Sequence, residues 1–323
     1  MAYIVKYIGN CARNNIDIRP LYEKDISYGN RVVLVCEKAT ADRYITEDVK
    51  LIDSPLDATQ TDAPLMLICT DANAKLQAVE TAFRLYAQEC QIYIRYDGIY
   101  TVNPEEHPYA HHLDRIDYDE VTELHTSGYN GVDLDVVEAA KKYGVIIHML
   151  SYIEPQRQGT IIKEVMAFGS ATVKGIIKEP DICIVSLREI PDKPGISYFI
   201  FDAVSRSGVN VDMISLPASD YGKQDISFTI HKEDKNTVEK LLQDKQAQLG
   251  YSYFTIKDNV AKISVVGGGV KTSKGVAASV FRVLYENDIS LRLISTSEIK
   301  ISVFVDKNVS DLAVQKLHEY FIK

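Results

Sequence analysis

A chain of 323 residues, 46% hydrophobic and 25% charged, has room for two or three folded domains and the composition of a globular protein. Its net charge of −9 argues against nonspecific nucleic-acid binding, which needs a basic surface to displace counterions. It holds no apolar run of membrane-spanning length, and Met1-Ala2-Tyr3-Ile4-Val5-Lys6 lacks the segments of a secretion signal, so a cytoplasmic protein is expected.

The first elements read as a covered parallel sheet. Tyr3–Tyr7, Val32–Cys36 and Leu65–Cys69 are strand-length, near-continuous apolar runs bounded by polar or glycine-containing segments. From Asp71 to Glu89 the spacing turns helical, with Leu76, Val79, Phe83 and Tyr86 on one stripe. A strand at Gln91–Tyr96, the Asp97-Gly98 turn and a short strand at Ile99–Val102 follow. Helices are predicted over Asp117–Ser127 and Asp133–Tyr143, the second ended by Gly144, and then a buried strand at Val145–Leu150. This alternation predicts a three-layer α/β domain over residues 1–155. Five scattered cysteines, Cys11, Cys36, Cys69, Cys90 and Cys183, read as small buried hydrophobes of a reducing compartment. His107, His111 and His112 have no carboxylate or cysteine at a helical ligand spacing, so a surface loop is expected there and no metal site.

After the polar linker Glu154–Gly159 the chain repeats itself. An offset of 80 residues aligns Gly195 with Gly275, Phe201 with Phe281, Val211 with Leu291, Ile214 with Ile294 and Ser215 with Ser295. The first copy reads as strand Ile182–Leu187, helix Gly195–Ser207, strands Val209–Ser215 and Ile226–His231, helix Lys235–Gln246 and strand Tyr251–Ile256. The second reads as strand Lys262–Val266, helix Gly275–Asn287, strands Ser290–Thr296 and Lys300–Val305 and helix Ser310–Phe321, and lacks a last strand. An orphan strand, Thr172–Ile177, precedes the first copy. It is expected to complete the second unit, interlocking the two and covering a sheet edge.

Pro191-Asp192-Lys193-Pro194-Gly195 joins strand to helix, where a tight turn leaves helix N–H groups facing a carboxylate's position. With Gly208-Val209-Asn210-Val211-Asp212 and Asp225-Ile226-Ser227-Phe228-Thr229, this βαββαβ unit resembles an ACT domain. The second copy adds Gly267-Gly268-Gly269-Val270, Gly275-Val276-Ala277 and Ile294-Ser295-Thr296-Ser297-Glu298-Ile299-Lys300-Ile301-Ser302-Val303. That last run closely resembles the regulatory tail of aspartate kinases, and the likeness covers residues 165–323. It implies ferredoxin-like ACT domains over 165–258 and 259–323, the strand 172–177 completing the second.

In that family, paired ACT domains bind lysine or threonine and feed back on the kinase. Carried over by position, Asp192, Lys193, Pro194, Gly195, Ile196 and Ser197, with Asn210, Val211 and Asp212, are expected to hold the effector's charged groups. Gly275, Val276, Ser290, Ser297 and Glu298 form the partner face. Ser290 and Arg292 replace the family's usual Asn and Gln. The resemblance also implies a homodimer joined through ACT-domain edges, with effector sites at the interface.

The N-terminal half resembles the family's amino-acid-kinase domain in outline, through Met1–Val5, Cys90–Tyr93, Asp97–Thr101, Leu113–Glu120 and Val137–Tyr143. Phosphoryl transfer needs positive charge and close backbone amides around the phosphates. The family's K-F-G-G-T-S is here Tyr7-Ile8-Gly9-Asn10-Cys11-Ala12, with Lys6 one position off. Its Thr-Asp becomes Ile94-Arg95, and its D-P-R becomes Asn103-Pro104-Glu105. G-A-K-V-L-H-P-R becomes Gly128-Tyr129-Asn130-Gly131-Val132-Asp133-Leu134-Asp135, and Thr70-Asp71-Ala72-Asn73 replaces the second glycine-rich loop. About 150 residues stand where the family has a longer catalytic domain holding the aspartate site. A degenerate nucleotide pocket of Tyr7, Gly9, Asn10, Asp97, Gly98 and Asn130 is therefore expected, with no catalytic residue and no cofactor. The competing expectations are an active aspartate kinase using ATP and Mg, and a regulatory subunit whose partner is a separate catalytic aspartate kinase.

Overall fold

A computed structural model of the chain describes residues 2–9, 11, 14, 16–165, 173–217 and 222–322. The chain divides into two compact units, one running from the N-terminus through Gly175 with Val266–Gly269 and Ile322, the other Ile176–Val265 with Val270–Phe321 and the last residue.

In the first unit, β1 (Tyr3–Tyr7), β2 (Arg31–Glu37), β3 (Lys50–Leu51), β4 (Leu65–Thr70), β5 (Cys90–Ile94), β8 (Arg115–Ile116), β9 (Ile147–Ser151) and β10 (Thr160–Ile162) form one sheet. Its order is β3-β4-β2-β1-β5-β9-β10-β8. All neighbours pair in parallel except β9 and β10. β6 (Ile99–Tyr100) and β7 (His112–Leu113) make a separate antiparallel pair. The buried residues alternate between faces, as a strand's period of two requires. Val32, Leu34, Cys36, Leu65 and Leu67 join Ile18 and Leu21 in a cluster on the side of α1 (Arg19–Ser27). α2 (Ala74–Arg84) packs on β1 and β2 and against α4 (Leu134–Tyr143), while α3 (Tyr118–Thr126) lies beside α4. Strands covered on both faces explain the near-continuous apolar runs.

Three expectations need correcting. The stripe through Phe83 and Tyr86 is not the buried face of α2: Phe83 is exposed, stacked on Tyr143, and Tyr86 lies beyond the helix with its ring in solvent. Of the expected stripe Val79 is buried, and it is joined by Ala74, Ala78 and Ala82, because small side chains let the helix approach the sheet closely. Thr160–Ile162 also belongs to this sheet, so the unit runs past residue 155. His107 is a buried loop residue hydrogen-bonded to Tyr109, not a surface one.

The second unit is a six-stranded sheet of order β12-β13-β11-β14-β16-β15. β11 (Gly175–Pro191) and β14 (Tyr253–Val266) are each long enough to serve both repeats. Thr172, where the orphan strand was expected to begin, lies outside the described residues, and Gly175–Ile177 open β11. The first repeat uses Ile182–Pro191 of β11, paired with β13 (Lys223–His231), which pairs in turn with β12 (Ile214–Ser215). The second uses β14, β16 (Lys300–Asp306) and β15 (Leu293–Thr296). Helices α5 (Ile196–Arg206) and α6 (Lys235–Leu249) belong to the first repeat, and α7 (Val276–Glu286) and α8 (Ser310–Phe321) to the second. Both repeats place a serine pair across neighbouring strands, Ser186 with Ser227 at 2.8 Å and Ser264 with Ser302 at 2.9 Å. Asn210–Asp212, expected in a strand, precede the two-residue β12, and Asp212 N–H donates to the Thr229 carbonyl at 3.2 Å.

Candidate functional site

At the carboxyl ends of β1 and β2 lies a cleft of about 690 Å³ lined by Tyr7, Glu37, Asn73, Lys75, His125 and Asp133–Asp135, among others. Three segments that depart from the kinase pattern meet there: Tyr7, Ala72-Asn73 and Asp133–Asp135. The cleft is more acidic than a phosphate site should be. The Tyr7 hydroxyl donates to Glu37 at 3.0 Å. A Cβ on Gly9 would run into that same carboxylate and lie 2.7 Å from the Tyr7 hydroxyl, so these side chains take the space a glycine loop normally leaves open. Lys75 pairs with Asp133 and lies over the Tyr7 ring. The Asn73 side chain accepts the N–H groups of Lys75 and Leu76 at 3.2 and 3.3 Å, occupying two donors of the α2 N-terminus.

Lys6 does not substitute for the missing lysine. Strand alternation points it away from Tyr7, toward α1, where it is buried against Asp25 at 2.7 Å and donates to Gln91. Burial pulls its pKa below the usual lysine range, against the opposing effect of Asp25. Of the other expected pocket residues, Asp97, Gly98 and Asn130 lie apart from the cleft lining. Asp97, at the turn after β5, is hydrogen-bonded by Tyr100 and paired with Arg157 at 3.0 Å. Burial acts to raise its carboxyl pKa, but those two partners outweigh it and hold it below the ordinary range. Gly98 packs against Thr160, Asn130 is exposed after α3, and Asn10 lies outside the described residues.

The expected effector residues divide by repeat. Gly195 and Gly275 are the N-caps of α5 and α7, both left-handed with φ of 89° and 92°. Their carbonyls accept from Phe199 and Ser279 at 3.1 and 2.9 Å, so the two loops have one geometry. In the first repeat Ile196 and Val211 pack on one apolar cluster, but the two segments stand toward opposite ends of β13: Asp192 N–H donates to the Gly222 carbonyl at 2.9 Å, and Asp212 N–H to the Thr229 carbonyl at 3.2 Å. Asp192, Lys193, Pro194 and Asp212 are exposed. In the second, Val276 is buried at the start of α7, Ser290 precedes β15, and Ser297-Glu298 form the turn before β16. Arg292, the repeat partner of Asp212, is closed on Asp306 by bonds of 2.9 and 2.5 Å.

Glu37, Lys75, Arg157, Glu179 and Lys262 were not singled out from sequence. A charged residue closing or opening a buried apolar strand, as Glu37 and Lys262 do, was the available signal.

Residues 182–246 and 263–321 match the ACT domain family, and residues 76–151 match the amino acid kinase family. An aspartate kinase of Stutzerimonas stutzeri is 35% identical over 245 residues, covering 75% of this chain and 59% of its own. An aspartokinase of Pseudomonas aeruginosa is 34% identical, covering 75% of this chain and 60% of its own. The chain is an aspartate kinase homologue. It spans about three-fifths of the length of these relatives. The fold agrees: the Clostridium acetobutylicum aspartate kinase superimposes with a TM-score of 0.72 at 18% identity, over 80% of this chain and 63% of its own. E. coli aspartokinase III, solved in complex with lysine and aspartate, gives a TM-score of 0.65 at 19% identity, over 80% and 60%.

Proposed function

We propose that this aspartate kinase homologue senses an amino acid through its ACT repeats and that its kinase-like half does not transfer phosphate. The observation that carries the second part is the convergence of Tyr7, Asn73 and Asp133–Asp135 on one cleft with the Glu37 carboxylate against Gly9. A triphosphate entering there meets negative charge, and Lys75 is already paired. The amino acid kinase match also begins at residue 76, leaving the first loop outside it. For the first part, both glycine-capped loops keep the open geometry an amino acid's carboxylate needs. Lysine, the ligand of E. coli aspartokinase III, is the first effector to test.

The repeats also supply a route to a dimer. β12 and β15 are the edges of the six-stranded sheet and carry the exposed repeat partners Ile214 and Ile294. An unpaired edge is a template for another strand, and a two-fold pairing there would set effector loops of two copies side by side.

Two measurements test the proposal. Calorimetric titration of the full chain with lysine, threonine and methionine should give binding by at least one, and heat from none would sink the sensing reading. A coupled ADP-release assay with L-aspartate and MgATP should show no turnover. Turnover abolished by Asp97→Ala would establish an active aspartate kinase instead.

A further inference from the structure

The cysteines are scattered along the chain, but the fold brings two of them into contact. Cys36 of β2 and Cys69 of β4 are in-register partners on adjacent parallel strands, so their side chains leave the sheet on one face. Their sulfurs stand 4.0 Å apart. Neighbouring strands lie about 4.8 Å apart, within the Cα separation of about 4.4–6.8 Å that a disulfide spans. Side-chain rotation, with no change of strand pairing, can therefore close a bond. Just beyond the pair, Lys38 and Asp71 form an ion pair of 2.6 Å that ties the same two strand ends.

The two thiols are not equivalent. Cys36 is fully buried, whereas Cys69 is partly exposed. β3 pairs with β4 only at Met66 and Leu67, so among the described residues no strand flanks the outer side of β4 at Cys69. Burial pushes the Cys36 thiol up to about 12, and the neighbouring Cys69 adds to the rise. Burial raises Cys69 as well, with Asp42 adding to it, but the hydrogen bond with Cys36 and the charge of Lys38 oppose the rise. Cys69 is thus the easier of the two to ionise and to reach, and the thiolate is the reacting form.

We propose that Cys36 and Cys69 form a reversible disulfide on exposure to a hydroperoxide, Cys69 being oxidised first and Cys36 resolving it. In the first step the Cys69 sulfur attacks a peroxide oxygen: the S–O bond forms, the O–O bond breaks, and the released hydroxide takes a proton to leave as water. In the second, the Cys36 sulfur attacks that of Cys69: the S–S bond forms, the S–O bond breaks, and the oxygen leaves as water with the Cys36 proton. Two thiols and one peroxide give one disulfide and two waters, the sulfurs losing the two electrons that the peroxide gains. The bond would tie the strand that carries Glu37 to the strand that leads to Asn73, two residues of the cleft lining.

The test is peptide mapping of the folded full chain after hydrogen peroxide, digested with trypsin in the absence of reductant. Residues 32–38 and 51–75 carry Cys36 and Cys69 on separate tryptic peptides, which should appear joined, lighter by two hydrogens, and released by dithiothreitol. The rate should rise about tenfold per pH unit through the neutral range as thiolate becomes available. Cys36→Ser should leave a sulfenic acid on Cys69 that dimedone traps, and Cys69→Ser should leave Cys36 reduced. Cys11 packs in the same apolar cluster as Cys36, and residues 7–13 carry it on a third peptide. Unlinked peptides in the folded wild type, a link from Cys36 to the Cys11 peptide, or dimedone capture on Cys36 before Cys69 overturns the proposal. If a serine variant does not fold, the wild-type map and its order of dimedone capture decide alone.

Discussion

Glycines at strand ends have opposite fates in the two units. Gly195 and Gly275 hold a left-handed backbone; nothing lies within 4 Å of a Cβ at Gly275, and only the Phe199 ring, at 3.7 Å, near one at Gly195. Gly9 follows a strand in the same way, but the protein's own Glu37 and Tyr7 side chains fill the space beside it. A glycine loop can receive a ligand's anionic group only while that space stays empty and the charge around it is not already negative. The difference teaches that sequence likeness to a binding loop must be weighed with what neighbouring strands project into it.

The largest expected effect tests whether Lys6 belongs to the structure of the filled unit. Asp25→Ala strips the ion-pair partner from a lysine that is 1% exposed and should cost about 3 kcal/mol in urea denaturation. A loss under about 1 kcal/mol would mean Lys6 is free to turn toward the cleft, and the contrast would weaken. Next come Gly195→Ala and Gly275→Ala, which force a side chain into the left-handed region and should each cost about 1–2 kcal/mol. Both should also weaken the binding of whichever amino acid is found to bind.

A smaller effect is expected at Gly9. Gly9→Ala should cost about 1 kcal/mol through its clash with Glu37, and much less in a Glu37→Ala background. Equal costs in the two backgrounds would show that Glu37 does not fill the loop.

The smallest effect concerns pH and the buried polar group behind β1. Burial acts to lower His148, but Glu89 and the Gln158 carbonyl outweigh it and raise its pKa. Burial acts to raise Glu89, but His148, Gln91 and Lys6 outweigh it and lower its pKa. His148 therefore contributes stability below its unfolded value, about 6.5, that is lost as pH rises through the folded one. Glu89 contributes stability above its unfolded value, about 4.3, that is lost as pH falls through the folded one. The first unit should be most resistant to urea between those limits, and His148→Asn should flatten the alkaline side of the profile.

Much of this was legible from residue order. The helix Asp117–Ser127 appears as α3 with Asp117 and Glu120 forming its capping box, and Gly144 ends α4 in a left-handed turn. These are local signals, carried by residues within one turn of each other. α1 was missed because its apolar stripe is weak and its cap has no side-chain acceptor. The α2 stripe was misread because large apolar residues dominate any periodicity, while alanines make the actual contact.

The sequence by itself determined the repeat, the two glycine-capped loops, the kinship to aspartate kinases and the departures from the phosphate-binding motifs. All of these depend on residue type at fixed spacing along the chain. Only the tertiary structure decided what those departures do together. Glu37 meets Gly9, Arg157 meets Asp97, and Lys262 meets Glu179 and Asp212 across separations of 28 to 83 residues. Such meetings are set by which strands become neighbours and which way their side chains alternate. No stretch of sequence read alone contains that information.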